Sequence, residues 1–358
     1  MSFSGSYRSD DVEFLLKPLD LRTFVDVPEK EFLIQSGQRH YSEMLSPESL
    51  PSARYLDVFR QACEANMERM ARDCAALAGL IADRRSGPVT LVSLARAGTP
   101  VGVVLRHLLT NMGRTAAHYS VSIIRDRGID QVALEHILAQ GHAPESIVFV
   151  DGWTGKGVIS RELAAAIGQF NARRGTIIDG GLYVLSDLAG TAACAASCDD
   201  YLIPSSILNA TVSGLISRSI LNDAIGPDDF HGCVYYEQFA PHDQSQRFAD
   251  ALLALASAAP AAVPEPMNKA LAAAVSQAYM LAAQQQHGIA DVNMIKPGIG
   301  EATRVLLRRV PRLLIVRDAA ARDVAHLLLL AQEKNVEVVV DPDLPYHAVS
   351  LIRSALDG

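Results

Sequence analysis

The sequence predicts an α/β protein in which a parallel-sheet domain is followed by a small α/β/α sandwich domain. Short apolar strands without polar alternation recur along the chain and are separated by helical patterns, which is typical of a parallel sheet covered on both faces. The 358-residue length favours two or three domains. An Ala- and Pro-rich segment, 256–266, places a boundary near residue 263. We therefore expect domains at residues 1–262 and 267–358.

The first domain shows a repeated order of strand, loop and helix. Residues up to about 50 are irregular, and residues 52–85 carry apolar side chains at helical spacing. Helices are expected to end near residues 110, 139 and 170, each after a strand and a loop. The expected strands are 89–94, 118–124, 147–150, 181–185 and 201–204.

The second domain repeats this order on a smaller scale. We expect helices at 267–287, from near residue 301, at 322–333 and from about residue 346, with strands at 313–316 and 336–340. Helices on both sides of a short sheet form a three-layer α/β/α sandwich.

Composition limits the classes of function. The formal net charge of −8 excludes non-specific nucleic-acid binding by the whole molecule, although a local basic patch remains open. No apolar run of about 18 residues predicts a membrane span, and no signal peptide is recognisable. The five cysteines, an odd number, are expected to be reduced and mostly buried. A cytoplasmic location, without membrane contact, is the expectation.

The segment Asp151–Gly157 carries the strongest local signal. It follows an apolar strand and opens a helix, and Thr154, Gly155, Lys156 and Gly157 can point backbone N–H groups at a phosphate. The spacing differs from that of a nucleoside-triphosphate P-loop, and no Ser or Thr follows the lysine. Asp151 ends the strand, where it could contact sugar hydroxyls or a metal. A purely structural turn is the alternative.

Two further loops follow strands of the same sheet. Arg96–Pro100 combines a permanent positive charge with small residues that allow close backbone approach to an anion. Arg125–Asp130 holds four charged residues and a glycine, which suggests a mobile loop that closes over a negatively charged reactant. An ordinary turn and an exposed salt-bridged turn, respectively, remain the alternatives. Ligands of parallel sheets bind beyond the carboxyl ends of the strands, so the three loops are interpreted together.

In this order, the three loops resemble the phosphoribosyltransferases of the orotate and hypoxanthine type. The resemblance implies a type I phosphoribosyltransferase-like fold that takes phosphoribosyl pyrophosphate with Mg²⁺. It assigns pyrophosphate to Arg96, Ala97, Gly98 and Thr99, and the 5′-phosphate to the loop from Thr154 to Gly157. Arg125, Asp126, Arg127 and Asp151 would be catalytic, with Gly152 and Trp153 beside the substrate. A single Asp151, where that family usually has two adjacent acids, departs from the pattern.

A closer resemblance covers most of the chain. It is to the phosphoribosyltransferase-like family of tellurite-resistance stress operons, which is also labelled the StiP cysteine protease family. The matching runs are Gly5–Tyr7, Phe14–Pro18, Gln35–Gly37, His40–Met44, Leu91–Pro100, Ser122–Asp130, Val150–Gly157, Ile203–Ser205, Leu208–Asn209, Thr211–Gly214 and Phe230–Gly232. This resemblance implies a stress-response role in a nucleoside-like metabolite pathway.

The protease label requires a thiolate, a histidine base and a group that orients the base. Cys233 lies two residues after His231, so that strand alternation would place both on one face. Neighbours on one strand rarely reach the angle that a nucleophile and its base need. Cys63 and Cys74 occupy apolar-face positions of a helix, which favours burial.

The C-terminal domain resembles the Pelota and kink-turn-binding ribosomal protein family. The run Gly298–Arg304 opens a helix that meets RNA in that family, which implies RNA contacts by Gly298, Gly300, Glu301 and Arg304. Gly300 replaces the usual Asn. Basic side chains cluster nearby, at Lys296, Arg304, Arg308, Arg309 and Arg312. A docking or dimerising unit, with a homodimer as its product, is the alternative interpretation.

The leading hypothesis is an enzyme that moves ribose 5-phosphate between phosphoribosyl pyrophosphate and an unknown base. The alternatives are a catalytically inactive nucleotide- or RNA-binding module and a cysteine protease. Acceptor-side candidates, each equally able to be structural, are Gln35, His40, Tyr41, Glu43, Ser205, Ser206 and Asn209.

Overall fold

The computed structural model describes residues 3–20, 24–260 and 268–353. The N-terminal part, residues 3–260, contains a sheet in the order β1-β4-β3-β6-β7-β8, in which all neighbours are parallel. Its strands are β1 Glu13–Leu15, β3 Val89–Ala95, β4 Ala116–Ile124, β6 Ile147–Thr154, β7 Leu182–Asp187 and β8 Cys194–Ser197. A short β5, Gly128–Ile129, pairs antiparallel with β4, and β2, Lys17–Pro18, pairs with β9, Gly232–Cys233.

Helices cover both faces of this sheet because alternate strand residues point to opposite sides. Val89 and Leu91 of β3 belong to the core under α2, α3 and α6, whereas Val92 and Leu94 belong to the core under α4 and α5. The helices are α1 Val27–Gln35, α2 Ala53–Arg84, α3 Thr99–Asn111, α4 Gln131–Ala139, α5 Val158–Arg174 and α6 Ser245–Ala258.

The C-terminal part, residues 268–353, is a four-stranded mixed sheet between helices. Its strand order is β10-β13-β11-β12, and only β11 and β12 are parallel. Helix α7 covers one face, and helices α8 and α9 cover the other and share a hydrophobic core with α2 of the N-terminal part. The elements are α7 Lys269–His287, β10 Ile295–Pro297, α8 Ile299–Arg308, β11 Pro311–Val316, α9 Ala325–Glu333, β12 Glu337–Val340 and β13 Ala348–Ile352.

The predicted fold class is confirmed: a parallel α/β sheet is followed by a small α/β/α sandwich. Several expected elements are wrong. The final helix is strand β13, which pairs with β10 and β11 and whose alternate residues Val349 and Leu351 are buried in one core. The expected strand 201–204 has no ladder partner, and β8 takes the edge instead. Helix α6 continues to Ala258, and the boundary near residue 263 lies outside the described residues.

Candidate functional site

A cleft of about 510 Å³ lies where β4 and β6 end, between the two parts of the chain. Its lining comes from helix α1, Tyr41, the start of the β4–β5 hairpin, the loop before α5, Arg218, the segment 291–297, and helix α8 with the residue that follows it. The predicted residues that line it are Arg125, Asp151, Trp153, Thr154, Gly155, Lys156, Gly157, Glu301 and Arg304. The carboxyl edge of the sheet is therefore where most of the predicted site comes together.

The loop from Thr154 to Gly157 is shaped by its own hydrogen bonds. Thr154 Oγ1 accepts a bond from the Gly157 N–H at 3.1 Å. Gly157 has φ +73°, and a Cβ there would lie 2.4 Å from the Thr191 side chain, so only glycine fits. Helix α5 begins at the next residue, and its first turn also lines the cleft. The N-terminus of a 17-residue helix therefore opens into the cleft.

Lys156 bridges this loop to the C-terminal part. Its Nζ donates to the backbone carbonyls of Val292 and Ile295, at 2.7 and 3.2 Å. Burial, together with the nearby charge of Lys296, lowers the Lys156 pKa to about 7, although Glu301 and Asp291 oppose this shift. Near neutral pH the amine is thus half charged, and its protonation responds to a nearby anion.

Asp151 lies at the base of the same cleft. Its carboxylate accepts the Gly152 N–H at 2.8 Å. Burial raises the Asp151 pKa to about 6, against the lowering effect of Arg304. Gly152 stands at the position where a second acid was expected from the phosphoribosyltransferase resemblance. Its backbone N–H donates the hydrogen bond to the single carboxylate.

Helix α8 meets the N-terminal part through Trp153. The Arg304 guanidinium lies 4.3 Å from the indole ring centre and donates to Glu301 at 2.8 Å. Although burial opposes ionisation, Arg304, Lys296 and Lys156 lower the Glu301 pKa. A Cβ on Gly300 would lie 2.6 Å from the Trp153 ring, so the helix backbone rests directly on the indole.

A residue of the N-terminal part, Asp200, caps the start of α8. Asp200 accepts the Ile299 N–H at 2.8 Å and the His347 N–H at 2.7 Å. Gly298 and Gly300 are buried at this junction, whereas Glu301 and Arg304 line the cleft. Of the four predicted RNA-contacting residues, the structure thus presents two to a ligand. Arg312 of the basic patch does not line the cleft and instead donates to the His287 carbonyl.

The segment after β4, which was expected to be a mobile loop, forms a tight hairpin in this structure. Asp126 is left-handed, with φ +66°, and its N–H donates to Glu162 at 3.0 Å. The Arg125 N–H donates to the Tyr41 hydroxyl at 2.8 Å. Arg127 points away from the cleft and pairs with Glu43 at 2.7 Å. Only Arg125 of the two arginines reaches the cleft.

Arg96, which the resemblance assigned to pyrophosphate, forms an ion pair within the protein. Its guanidinium binds both carboxylate oxygens of Glu48, at 2.6 and 3.2 Å, and the Ile216 carbonyl at 2.6 Å. Ala97 lines the same small chamber, beside Ser205, Ser206 and Asn209. Gly98 packs against the β6 backbone, and the buried Thr99 hydroxyl bonds Ser120. The Arg96 loop thus supports the sheet edge from outside the cleft.

Sequence reasoning missed Lys30, Glu31 and Arg218, although it named other residues of the N-terminal segment. Lys30 and Glu31 of α1 line the cleft together with the predicted Gln35 and Tyr41, whereas His40 and Glu43 do not. The Tyr41 ring lies between the Arg125 and Arg218 guanidinium groups, at 5.4 and 5.6 Å. The paired charges at Lys30-Glu31 were a visible signal, but nothing in the sequence showed which face of α1 they occupy.

The cleft carries a surplus of positive charge. Eight cationic side chains line it but only four carboxylates do: Lys30, Arg125, Lys156, Arg218, Lys296, Arg304, Arg308 and Arg309 against Glu31, Asp151, Asp291 and Glu301. Among the described residues, Lys30 and Arg308 make neither a hydrogen bond nor an ion pair with their charged groups. Burial lowers the pKa of Lys30 to about 8 and that of Arg308 to about 9, because neighbouring cations add to the cost of charge.

The five cysteines are free thiols, and most of them are buried or partly buried. Cys233 is fully buried, and burial raises its pKa to about 12. The His231 ring bonds the Ser122 hydroxyl through Nδ1 at 2.8 Å. Burial also raises the pKa of Cys63, to about 12, and those of Cys74 and Cys194. Cys198 is the exposed thiol and follows β8 at the sheet edge.

Within the described ranges, no group of three or more His, Cys, Asp or Glu side chains is arranged to hold a metal ion. The helices of the same ranges also include none that is long and apolar enough to cross a membrane.

Comparison with known proteins bears out the resemblances to the StiP family and to the Pelota RNA-binding domain. Residues 5–253 match the family model described as tellurite-like stress resistance cysteine protease StiP. Residues 274–354 match the Pelota RNA-binding domain. A curated relative, the cysteine protease StiP of Acinetobacter baylyi, is 45% identical over 372 residues, covering 99% of this chain and 96% of the relative.

Among solved structures, similarity is slight. The hypoxanthine phosphoribosyltransferase of Trypanosoma cruzi has a TM-score of 0.27 and 13% identity, covering 38% of this chain and 82% of that enzyme. A form of that enzyme complexed with the product IMP has a TM-score of 0.27 and 14% identity, covering 36% of this chain and 67% of the other. Similarity at this level carries no argument about function.

The expected phosphoribosyltransferase activity is therefore wrong. Both the family description and the curated relative's name give a cysteine protease, and neither names a transferase or phosphoribosyl pyrophosphate. The Mg²⁺ expected with that substrate stays a prediction. With a family model over residues 5–253 and a relative at 45% identity, the chain belongs to the StiP family of tellurite-like stress resistance cysteine proteases.

Proposed function

We propose that this StiP-family chain binds a phosphate-bearing ligand, a nucleotide or a short single-stranded RNA, in the cleft between its two parts. The observation that carries the proposal is the unmatched charge of Lys30 and Arg308 in a cleft with eight cations and four carboxylates. Uncompensated charge in a partly buried site costs several kcal/mol, which an anionic ligand offsets. The negative charge of the ligand would balance the surplus positive charge of the cleft.

The other features of the cleft favour phosphate over a carboxylate. Backbone N–H groups at the start of α5 and arginine side chains are donors suited to phosphate oxygens. Trp153 offers an aromatic face beside them, as single-stranded nucleic-acid sites do. A volume of about 510 Å³ is in the range of small-molecule sites. The match of residues 274–354 to an RNA-binding domain supports the same ligand class.

Trp153 is the single tryptophan of the chain and lines the cleft, so its fluorescence can report binding directly. We expect adenosine 5′-monophosphate, or a 5′-phosphorylated oligoadenylate, to change the emission and adenosine to leave it unchanged. The Arg125→Gln variant should weaken binding about tenfold, since a charge-assisted hydrogen bond contributes about 1.5–3 kcal/mol.

Arg127→Gln is the matched control, because Arg127 lies on the same hairpin but pairs with Glu43 outside the cleft. It should bind as the wild type does. Equal weakening by both variants would assign the effect to the hairpin fold. No emission change and no calorimetric heat with either phosphate ligand would overturn the proposed function.

Cysteine-dependent proteolysis is the second candidate function, and the family description and the relative's name favour it. A thiolate nucleophile must be accessible to a peptide, and Cys198 is the exposed thiol whereas Cys233 is fully buried. We propose Cys198 as the nucleophile of such a reaction, since it lies at the sheet edge where β8 ends.

Hydrolysis of fluorescein-labelled casein tests this candidate. We expect Cys198→Ser to remove the activity, and Cys233→Ser and Cys63→Ser to retain it. Iodoacetamide should inactivate the wild type and modify Cys198 first, as peptide mass mapping would show. Absence of hydrolysis by the wild type, or full hydrolysis by Cys198→Ser, would exclude Cys198 as a catalytic thiol.

A further inference from the structure

One end of the cleft is lined by four cations and a single carboxylate. Lys30, Arg218, Arg308 and Arg309 line it with Glu31, and the charges of the three arginines all act on the Lys30 amine. The carboxylate that acts on Arg218 and Arg308 is Glu48, which is already paired with Arg96. These residues come from α1, from residue 218 of the N-terminal part and from the end of α8. The loop of Thr154 to Gly157 opens into the same cleft, and its lysine contacts the carbonyls of Val292 and Ile295.

Glu31 is the anion that this end already contains. Its two carboxylate oxygens accept bonds from Nε and Nη2 of Arg309, the latter at 2.7 Å. Glu31 is only 4% exposed and Lys30 only 9%, whereas Phe32 beside them is 54% exposed. Helix α1 therefore turns its charged side inward and leaves an aromatic ring in solvent, the reverse of the usual surface helix. This orientation places a carboxylate among the four cations.

We propose that Lys30, Arg218, Arg308 and Arg309 form a second anion subsite, which Glu31 occupies in the ligand-free protein, and that the natural ligand carries two phosphate groups. This inference rests on the proposed function, with the first phosphate at the start of α5. The bidentate geometry that Arg309 gives to Glu31 is the geometry it would give to phosphate oxygens.

The side chains at this end carry more positive charge than the single Glu31 carboxylate can balance. Glu31 forms its ion pair with Arg309 and accepts a hydrogen bond from the uncharged Gln35 amide at 3.4 Å. Arg218 donates to the Met44 and Ser219 carbonyls, which carry no formal charge. Lys30, nine-tenths buried, and Arg308 keep their charged groups without a partner among the described residues. A phosphate dianion entering here would supply the charge that Glu31 does not, and would compete with it for Arg309.

Two ligands that differ by one phosphate separate this inference from the proposed function. We expect adenosine 3′,5′-bisphosphate to bind at least about tenfold more tightly than adenosine 5′-monophosphate, by Trp153 fluorescence or calorimetry. Lys30→Gln and Arg308→Gln should remove this advantage, because each weakens binding of the bisphosphate more than binding of the monophosphate. Arg125→Gln should weaken both ligands alike. Lys334→Gln, an exposed substitution outside the cleft, is the control.

Glu31→Gln tests the internal competitor. It should strengthen bisphosphate binding severalfold and leave monophosphate binding unchanged, with thermal unfolding checking that the variant stays folded. Equal affinities of the wild type for the two ligands would overturn the second subsite and leave the proposed function intact. Binding of neither ligand would overturn both. Should Glu31→Gln fail to fold, Lys30→Gln, whose side chain has no protein partner to lose, decides the matter alone.

Discussion

Replacing Gly300 by Ala is expected to destabilise the protein by about 1–3 kcal/mol, the range for overpacking a filled site. The new methyl group would lie 2.6 Å from the Trp153 ring. Neither the α8 backbone nor the packed indole can move aside at low energetic cost. The higher helix propensity of alanine, about 1 kcal/mol, offsets only part of this cost. Because Arg304 stacks on the same indole, anion binding should weaken as well.

Gly168→Ala is the matched control, since Gly168 lies inside α5 with nothing within 4 Å of an added Cβ. It should stabilise the protein by up to about 1 kcal/mol. Urea unfolding followed by circular dichroism measures both variants, and the emission maximum of Trp153 reports the contact itself. A Gly300→Ala protein as stable as Gly168→Ala would show that α8 is not held against the indole.

Phosphate binding is expected to weaken about tenfold per pH unit above pH 7, the slope for uptake of one proton. Burial and Lys296 lower the Lys156 pKa to about 7, from an ordinary value of 10.5. An anion beside the amine favours its charged form, so binding above pH 7 requires a proton from solvent.

In the ligand-free protein, the lowered Lys156 pKa makes stability change with pH in the opposite direction from binding. The unfolded chain binds the extra proton between pH 7 and 10.5, so stability rises with pH across that window.

Calorimetry in two buffers with different ionisation enthalpies counts the protons. At about pH 8 the wild type should take up close to one proton on binding adenosine 5′-monophosphate, and Lys156→Met close to none. The phosphate itself is already fully ionised there, so the difference belongs to the lysine. Equal proton uptake by the two proteins would remove Lys156 from the binding site.

The sheet edge was predictable from the sequence, because it depends on local patterns. Apolar strands followed by glycine loops predicted where β3, β4 and β6 end, and the carboxyl ends of parallel strands meet at one edge. Trp153 to Gly157 and Arg125 were therefore found. Their family resemblance then suggested a transferase reaction, which the comparisons contradict. The position of the site in the fold could be predicted from the sequence, whereas the reaction could not.

Long-range pairing was not predictable. Arg96 is satisfied by Glu48 and Arg309 by Glu31, partners far away in the chain that no local pattern joins. The same is true of the hairpin at Arg125, whose charges suggest mobility until Tyr41 and Glu162 are placed beside it. The sequence shows which residues are charged. Whether such a residue is available to a ligand depends on the partner that the fold places beside it.

Asp200 gives the C-terminal part a dependence on the rest of the chain. Its carboxylate satisfies N–H groups of Ile299 and His347, so the first turn of α8 and the start of β13 are completed by a residue outside their own sheet. Excised as residues 268–353, this part would lose that cap and expose the apolar side of α8, including Ile299 and Leu306. We therefore expect the excised part to be less stable than the same residues are within the whole chain.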